Sequence, residues 1–214
     1  MGKFFHWFVL FLFLFILVGN SVRMVFTPTY MNVTDGIGPS AQLSTETQSL
    51  LRKNSVHSLL DKKDVFQLVD PNGYLITITL SEQSHMNDVK KLSQTFFSFH
   101  NFILIIFLFL LGIFIQQKKF SQLRHIFTST FWVVNILILV CLVAVIFFWN
   151  AFFTLFHQVF FPQGNWGFPE ESLIIQLFPE QFWIASAITV LLLTWIQSFL
   201  LFLFAKRKPL LLSK

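Results

Sequence analysis

The sequence is short of charge, of cysteine and of the glycine-rich loops on which much enzyme chemistry depends. Only 12% of its 214 residues are Asp, Glu, Lys or Arg, about half the share of an ordinary soluble domain. Cys141 is the single cysteine, so no intrachain disulfide can form. It lies in an apolar run whose surroundings oppose a thiolate, and it reads as a packing residue. No phosphate-cradling glycine loop and no serine-centred nucleophile elbow occurs, which sets aside nucleotide-phosphate binding and acyl-serine chemistry. The interiors of the apolar runs carry no ionisable group apart from His100, and Asn135 is only weakly polar. The mid-membrane ionisable site expected of a transporter is therefore missing.

What is present is apolar length. The hydrophobic fraction is 55% and phenylalanine alone supplies 31 residues. Four runs, at 1–26, 92–116, 126–153 and 182–205, each reach the ~20 residues needed to cross a bilayer core. The first resembles a signal-peptide core in having Lys3 before it and Gly19-Asn20-Ser21 after its densest part. No clean small-x-small cleavage site follows and Phe26 extends the run, so it reads as a retained span. The expected fold is a mainly α, polytopic membrane protein with four transmembrane helices and a small α+β extracytoplasmic cap.

Charge sets the orientation. Lys3 precedes the first span; Lys118, Lys119 and Arg124 fall in the connection 117–125; Lys206, Arg207, Lys208 and Lys214 fall in the tail 206–214. These regions hold no acid, so the positive-inside rule makes them cytoplasmic, with both termini inside. All ten acids lie in the two other connections, 27–91 and 154–181, which are then external. The net charge of +5 is a topology signal and not a nucleic-acid footprint.

Residues 27–91 hold six bases and seven acids with scattered Leu, Val and Ile, the composition of a small folded cap. A hairpin is expected over 65–80, turning at Asp70-Pro71-Asn72-Gly73, whose Asp, Pro and Gly suit a type I turn. Residues 43–60 suggest one or two short helices. Ser84 is the expected N-cap of a helix that runs on into the second span. From 85 to 116 such a helix would measure about 48 Å, leaving roughly ten residues above the hydrocarbon. The connection 154–181 is too apolar for a solvated loop and too broken to span, so it belongs in the headgroup zone. Pro169 and Pro179 would suit the first turns of helices.

Position sorts the six histidines. His6 and His125 fall at the cytoplasmic boundary, His57 on the cap surface, and His100 within the second span as a packing residue. His85 and His157 are expected at one depth, just outside the membrane, from different segments. A helix N-terminus beside His85 would favour its neutral, proton-accepting form. Asp88, three residues on, shares its face and is placed to orient it. A metal held by His85, Asp88 and His157 is a second reading, without a fourth ligand of obvious identity.

Two stretches resemble the bacterial lipoprotein intramolecular transacylases. One is Ser84-His85-Met86-Asn87-Asp88-Val89-Lys90-Lys91-Leu92; the other is Phe156-His157-Gln158-Val159-Phe160-Phe161, followed by Gly164-Asn165-Trp166 and Leu177-Phe178-Pro179. The motifs cover about 40 residues, and the four-span layout with one large cap matches along the whole chain; residues 33–60 carry no assignable motif.

The resemblance implies a bacterial cell-membrane enzyme acting on a diacylated lipoprotein. The sn-2 acyl chain would move from the S-diacylglyceryl group to the α-amine of the N-terminal cysteine, giving the lyso form. An α-amine with a pKa near 8 needs a base, for which histidine is suited. His157 is the expected general base and His85 the group that stabilises or protonates the oxygen, or the reverse. Asp88, Asn165, Trp166, Tyr30 and Phe156 are expected to support the pocket. No cofactor, metal or covalent enzyme intermediate is required, and the partners are the lipoprotein and membrane lipid. The competing class is a non-enzymatic membrane binding or assembly protein whose cap recognises an external ligand.

Overall fold

The computed structural model describes residues 2–63, 65–70 and 72–207. Pro71, within the expected turn, and residues 208–214 of the expected basic tail lie outside the described residues. The chain is mainly helical: α1 (Lys3–Val25), α2 (Pro28–Val33), α3 (Thr45–Leu60), α4 (Leu80–Gln116), α5 (Phe120–Phe147), α6 (Trp149–Phe160), α7 (Leu173–Leu177) and α8 (Glu180–Lys206). Four of these, α1, α4, α5 and α8, are long and apolar enough to cross a membrane.

Helix α1 packs against α4, α5 and α8. Its Phe13 stacks on Phe107 of α4 at 4.8 Å and tilts against Phe127 of α5 at 5.2 Å. Val9, Ile16, Ile126 and Val134 complete this core. Lipid is as apolar as these side chains, so close packing and hydrogen bonds hold the helices together. Gln197 of α8 supplies such bonds: its amide donates to Ser21 at 2.9 Å, and its oxygen accepts from Asn20 at 3.1 Å. Ser21 and Thr194 approach to 2.9 Å. At Gly19 the ring of His100 comes so close that a Cβ would stand 2.0 Å from its Cδ2, so only glycine fits between α1 and α4 there.

The cap is built from α2, α3, α7 and the first turns of α4 around Met31, Leu51, Leu59, Phe66, Leu68, Met86, Leu177 and Phe178. Two buried cations fasten it. Arg52 donates to the carbonyls of Leu177, Thr34, Ile37 and Gly38, and its guanidinium lies 5.0 Å above the Phe182 ring. Burial lowers its pKa, opposed by the charge of Asp35. Lys90 of α4 donates to the Ser58 carbonyl and, at 2.6 Å, to the Asp61 carboxylate at the end of α3.

The expected hairpin over 65–80, and with it the β part of the cap, shortens to the pairing beside its turn, where Ile76 N–H donates to the Leu68 carbonyl and Asp70 N–H to the Tyr74 carbonyl, both at 2.9 Å. Among the described residues there is no strand, only one antiparallel bridge between Val69 and Leu75. The turn itself forms: Gly73 has φ 86°, and the Asp70 carboxylate accepts from the backbone N–H groups of Asn72 and Tyr74. The ladder stops because helices take the backbone groups of the first segment. Phe66 N–H donates to Asn87, Gln67 N–H to Ser58, and the Phe66 carbonyl accepts from Gln83.

Other boundaries move as well. Residues 45–60 form one helix. Helix α4 begins at an N-cap on Thr79, not Ser84, because Thr79 and Glu82 make a reciprocal capping box. Its 37 residues span about 55 Å. The third apolar run divides: α5 starts at Phe120, the chain turns at Phe148 (φ −133°, ψ 35°), and α6 restarts at Trp149. Pro179 is the N-cap of α8, while Pro169 precedes the Ser172 cap of α7 by three residues; neither lies in a first helical turn.

Candidate active site

The cap end of the bundle brings the second turn of α4 against α6. The His85 and His157 rings lie with centroids 6.0 Å apart and planes inclined at 29°. Each element explains its own residue. The capping box starts α4 early enough for Met86 and Lys90 to be buried in the cap. His85, one position before Met86, then faces the seam. In α6 only His157 is buried, while Leu155, Phe156, Val159 and Phe160 are exposed. One face of a short apolar helix thus carries a histidine inward and leaves phenylalanines outward.

Aromatic rings enclose the pair. His85 sits 4.9 Å from Phe161 and 5.5 Å from Phe168. His157 sits 4.0 Å from Phe153, 5.0 Å from Trp166 and 5.6 Å from Phe161. Burial in such surroundings disfavours the imidazolium. Burial first, then the charge His157 would carry, lowers the His85 pKa to about 4, against smaller raising effects of Asn165 and Asp88. Burial also lowers His157, opposed by the Phe153 carbonyl. Both rings are therefore neutral at pH 7. The expected helix-dipole effect on His85 is not needed, since the ring is six residues into α4 and that effect fades after the first turn.

The segment after α6 folds back over the pair. Gly164 takes φ 76°, and its N–H donates to the Phe161 carbonyl at 3.1 Å. Asn165 then reaches α4, donating to Asp88 at 2.8 Å and Ser84 at 3.1 Å. Gln163 donates to the same Asp88 oxygen at 2.7 Å. Asp88 thus fastens the loop and does not bond His85 directly. Three polar atoms here are buried without a partner: His85 Nδ1, Asn165 Oδ1 and Trp166 Nε1.

Of the residues singled out in the sequence, His85, His157, Asp88, Asn165 and Trp166 come together. Phe156 lies 5.5 Å from His157 but is itself exposed. Tyr30 is elsewhere in the cap: its hydroxyl donates to Ser186 and its ring meets Phe182. Phe161 entered only as the end of a quoted motif, Gln163 and Phe168 only as part of the aromatic outer segment, and Phe153 not at all. Phe153 would have been legible as the residue four before His157, had residues 149–160 read as a helix. Among the described residues, no three His, Cys, Asp or Glu side chains gather to hold a metal ion.

A solved structure of similar fold is the in meso structure of the membrane integral lipoprotein intramolecular transacylase Lit from Bacillus cereus. It has a TM-score of 0.75 at 18% identity and covers 94% of this chain and 93% of that one. Structures of that protein with mutations H85R and H85A, in its own numbering, give a TM-score of 0.73 at 20% identity. They cover 95% of this chain and 89% and 91% of theirs. No curated protein matches the sequence. Residues 5–183 match the family described as lipoprotein intramolecular transacylase Lit, and the chain belongs to that family.

Proposed function

We propose that the chain moves the sn-2 acyl chain of an S-diacylglyceryl cysteine from its glyceryl oxygen to the α-amine of the same cysteine. The product is an N-acyl, S-monoacylglyceryl lipoprotein. The observation that carries this is the buried, neutral pair His85–His157. An amine attacking an ester must lose a proton and the departing oxygen must gain one. Two neutral imidazoles 6.0 Å apart suit that transfer. His157 acts as the general base. Its Nδ1–H donates to the Phe153 carbonyl at 2.8 Å, which orients the ring and leaves Nε2 as a lone pair. The proton passes to the glyceryl oxygen with His85 as the group that delivers it. One proton crosses from nitrogen to oxygen, and both histidines end as they began.

Nucleophile and ester belong to one substrate, so the enzyme's remaining task is to fold that substrate on itself. Alignment of this kind supplies several kcal/mol. The aromatic enclosure keeps water from competing for the acyl group. With the basic connections on the cytoplasmic side, the pair faces outward at the seam of cap and membrane, where a lipid-anchored ester and a free amine both reach. Asp88, through Gln163 and Asn165, holds the loop that closes the site.

Incubating the purified protein with a synthetic diacylated lipopeptide tests this. Tandem mass spectrometry should find one acyl chain moved onto the amine. An unchanged S-diacyl product, from folded protein, overturns the proposal.

A further inference from the structure

The histidine pair accounts for a proton's path but leaves a second requirement of acyl transfer open, a donor for the charge that builds on the carbonyl oxygen. The hydrogen bonds of the site narrow the choice. A carbonyl only accepts, so His157 keeps its single proton on Nδ1, against Phe153. Its Nε2 then has nothing to donate. Asn165 spends its amide hydrogens on Ser84 and Asp88, and Gln163 donates to Asp88. His85 Nδ1 and the Asn165 oxygen are both buried without a partner, a ring nitrogen and an acceptor that suit each other. A proton on that nitrogen leaves His85 Nε2 as a lone pair too.

One buried donor is left without a partner, whereas Gln163 and Ser84 stand at the exposed edge of the site. Trp166 Nε1 is buried and bonded to nothing, on a ring 5.0 Å from His157. An indole N–H can only donate. Buried donors are rarely left unpaired. Its place is fixed by the two residues before it: Gly164 turns the chain, and Asn165 is tied to α4.

We propose that Trp166 is a catalytic residue whose indole N–H donates to the carbonyl oxygen of the migrating acyl group and holds the oxyanion. This rests on the acyl-transfer reading above and moves oxyanion stabilisation from His85 to Trp166. The amine nitrogen forms a bond to the carbonyl carbon, and the π pair moves onto the oxygen facing Nε1–H. The nitrogen's proton goes to the histidine pair. When the carbonyl re-forms, the bond to the glyceryl oxygen breaks and that oxygen takes the proton. One N–C bond is gained and one C–O bond lost.

The test is Trp166→Phe, which keeps an aromatic ring and removes the donor. kcat should fall by about 10²–10³-fold with KM little changed, and thermal unfolding should stay near wild type. A second readout uses a lipopeptide whose migrating carbonyl is a thiocarbonyl, a poor hydrogen-bond acceptor. In the wild type, the rate ratio of oxygen to sulfur substrate should exceed that of the uncatalysed rearrangement; in the variant it should drop toward it. A W166F variant with wild-type kcat overturns the proposal. So does a wild-type ratio equal to the uncatalysed one, even where the variant fails to fold. A wild type that leaves the oxygen ester untouched defeats the transacylase reading itself, and this one with it.

Discussion

The chain carries two histidine pairs, one at each end of its helix bundle, and they share little beyond proximity. At the cap end, His85 and His157 are buried among phenylalanines and an indole. At the opposite end, His6 and His125 lie closer, with centroids 4.8 Å apart. There His125 is exposed, Ser129 meets its Nδ1 at 3.1 Å, and Lys3, Ser121 and Gln122 line the opening. Two imidazoles side by side do nothing by virtue of closeness. Enclosure holds one pair neutral at pH 7, and a loop lays an unspent donor beside it. The other pair is only partly enclosed, His6 half-buried and His125 exposed, and has no such loop over it.

Substitution should separate the pairs most sharply. His157→Ala and His85→Ala should each lower lipopeptide turnover by about 10²–10⁴-fold, the range of general acid–base catalysis. The double variant should be scarcely worse than either, since the two act as a unit. His6→Ala with His125→Ala should leave turnover near wild type in the same assay. Full activity in either cap-end variant would remove that residue from the mechanism.

The next effect is on stability. Lys90→Met strips Asp61 and the Ser58 carbonyl of their donor, and should cost about 3 kcal/mol in detergent unfolding. The Lys90 bond holds Asp61 below the usual carboxylate range. The stability it contributes is present above the ordinary carboxylate pKa and is lost as pH falls through the lower, folded value. Lys90→Met should therefore flatten that part of the acid dependence of the melting temperature.

Smaller is Gly19→Ala, which drives a methyl into the His100 ring and should cost about 1–3 kcal/mol. Adding His100→Ala should restore part of the loss, as expected of contacting residues. Activity per folded molecule should not change.

The smallest effect is in the pH profile. An amine of pKa near 8 makes log kcat/KM fall with unit slope below pH 8. Because burial lowers the pKa of both histidines proposed for the mechanism, that of His85 to about 4, that slope should stay single through pH 6.5. A doubling of slope near 6.5 would show an ordinary, solvated histidine in the essential pair.

The four apolar helices were legible because each long run had no competing use. The convergence of residues near 85 and 157 was legible from their distance to the spans. Helix α6 was not, since its N-cap Phe148 makes no capping bond and residues 139–149 leading into it are all apolar. The start of α4 was misplaced because Ser84 looks like a cap, whereas the box at Thr79 and Glu82 closes first. The hairpin stays short for a tertiary reason: Asn87, Ser58 and Gln83 compete for the backbone of its first segment. Arg52 sits in the stretch where no motif could be assigned, and cations in a mixed-charge cap read as surface. Nothing local announces that its guanidinium holds four carbonyls of the connections around it.

Helix α4 runs unbroken for 37 residues from the cap to the far end of the bundle, and a helix of this kind is also a gauge. His85 stands on it at a height counted in steps of about 1.5 Å per residue. No hinge in the helix can lower the histidine to an ester that sits too deep. A bilayer thinner or thicker than the apolar stretch below would carry the glyceryl ester out of register with the ring, so turnover should peak at one acyl length of the host lipid.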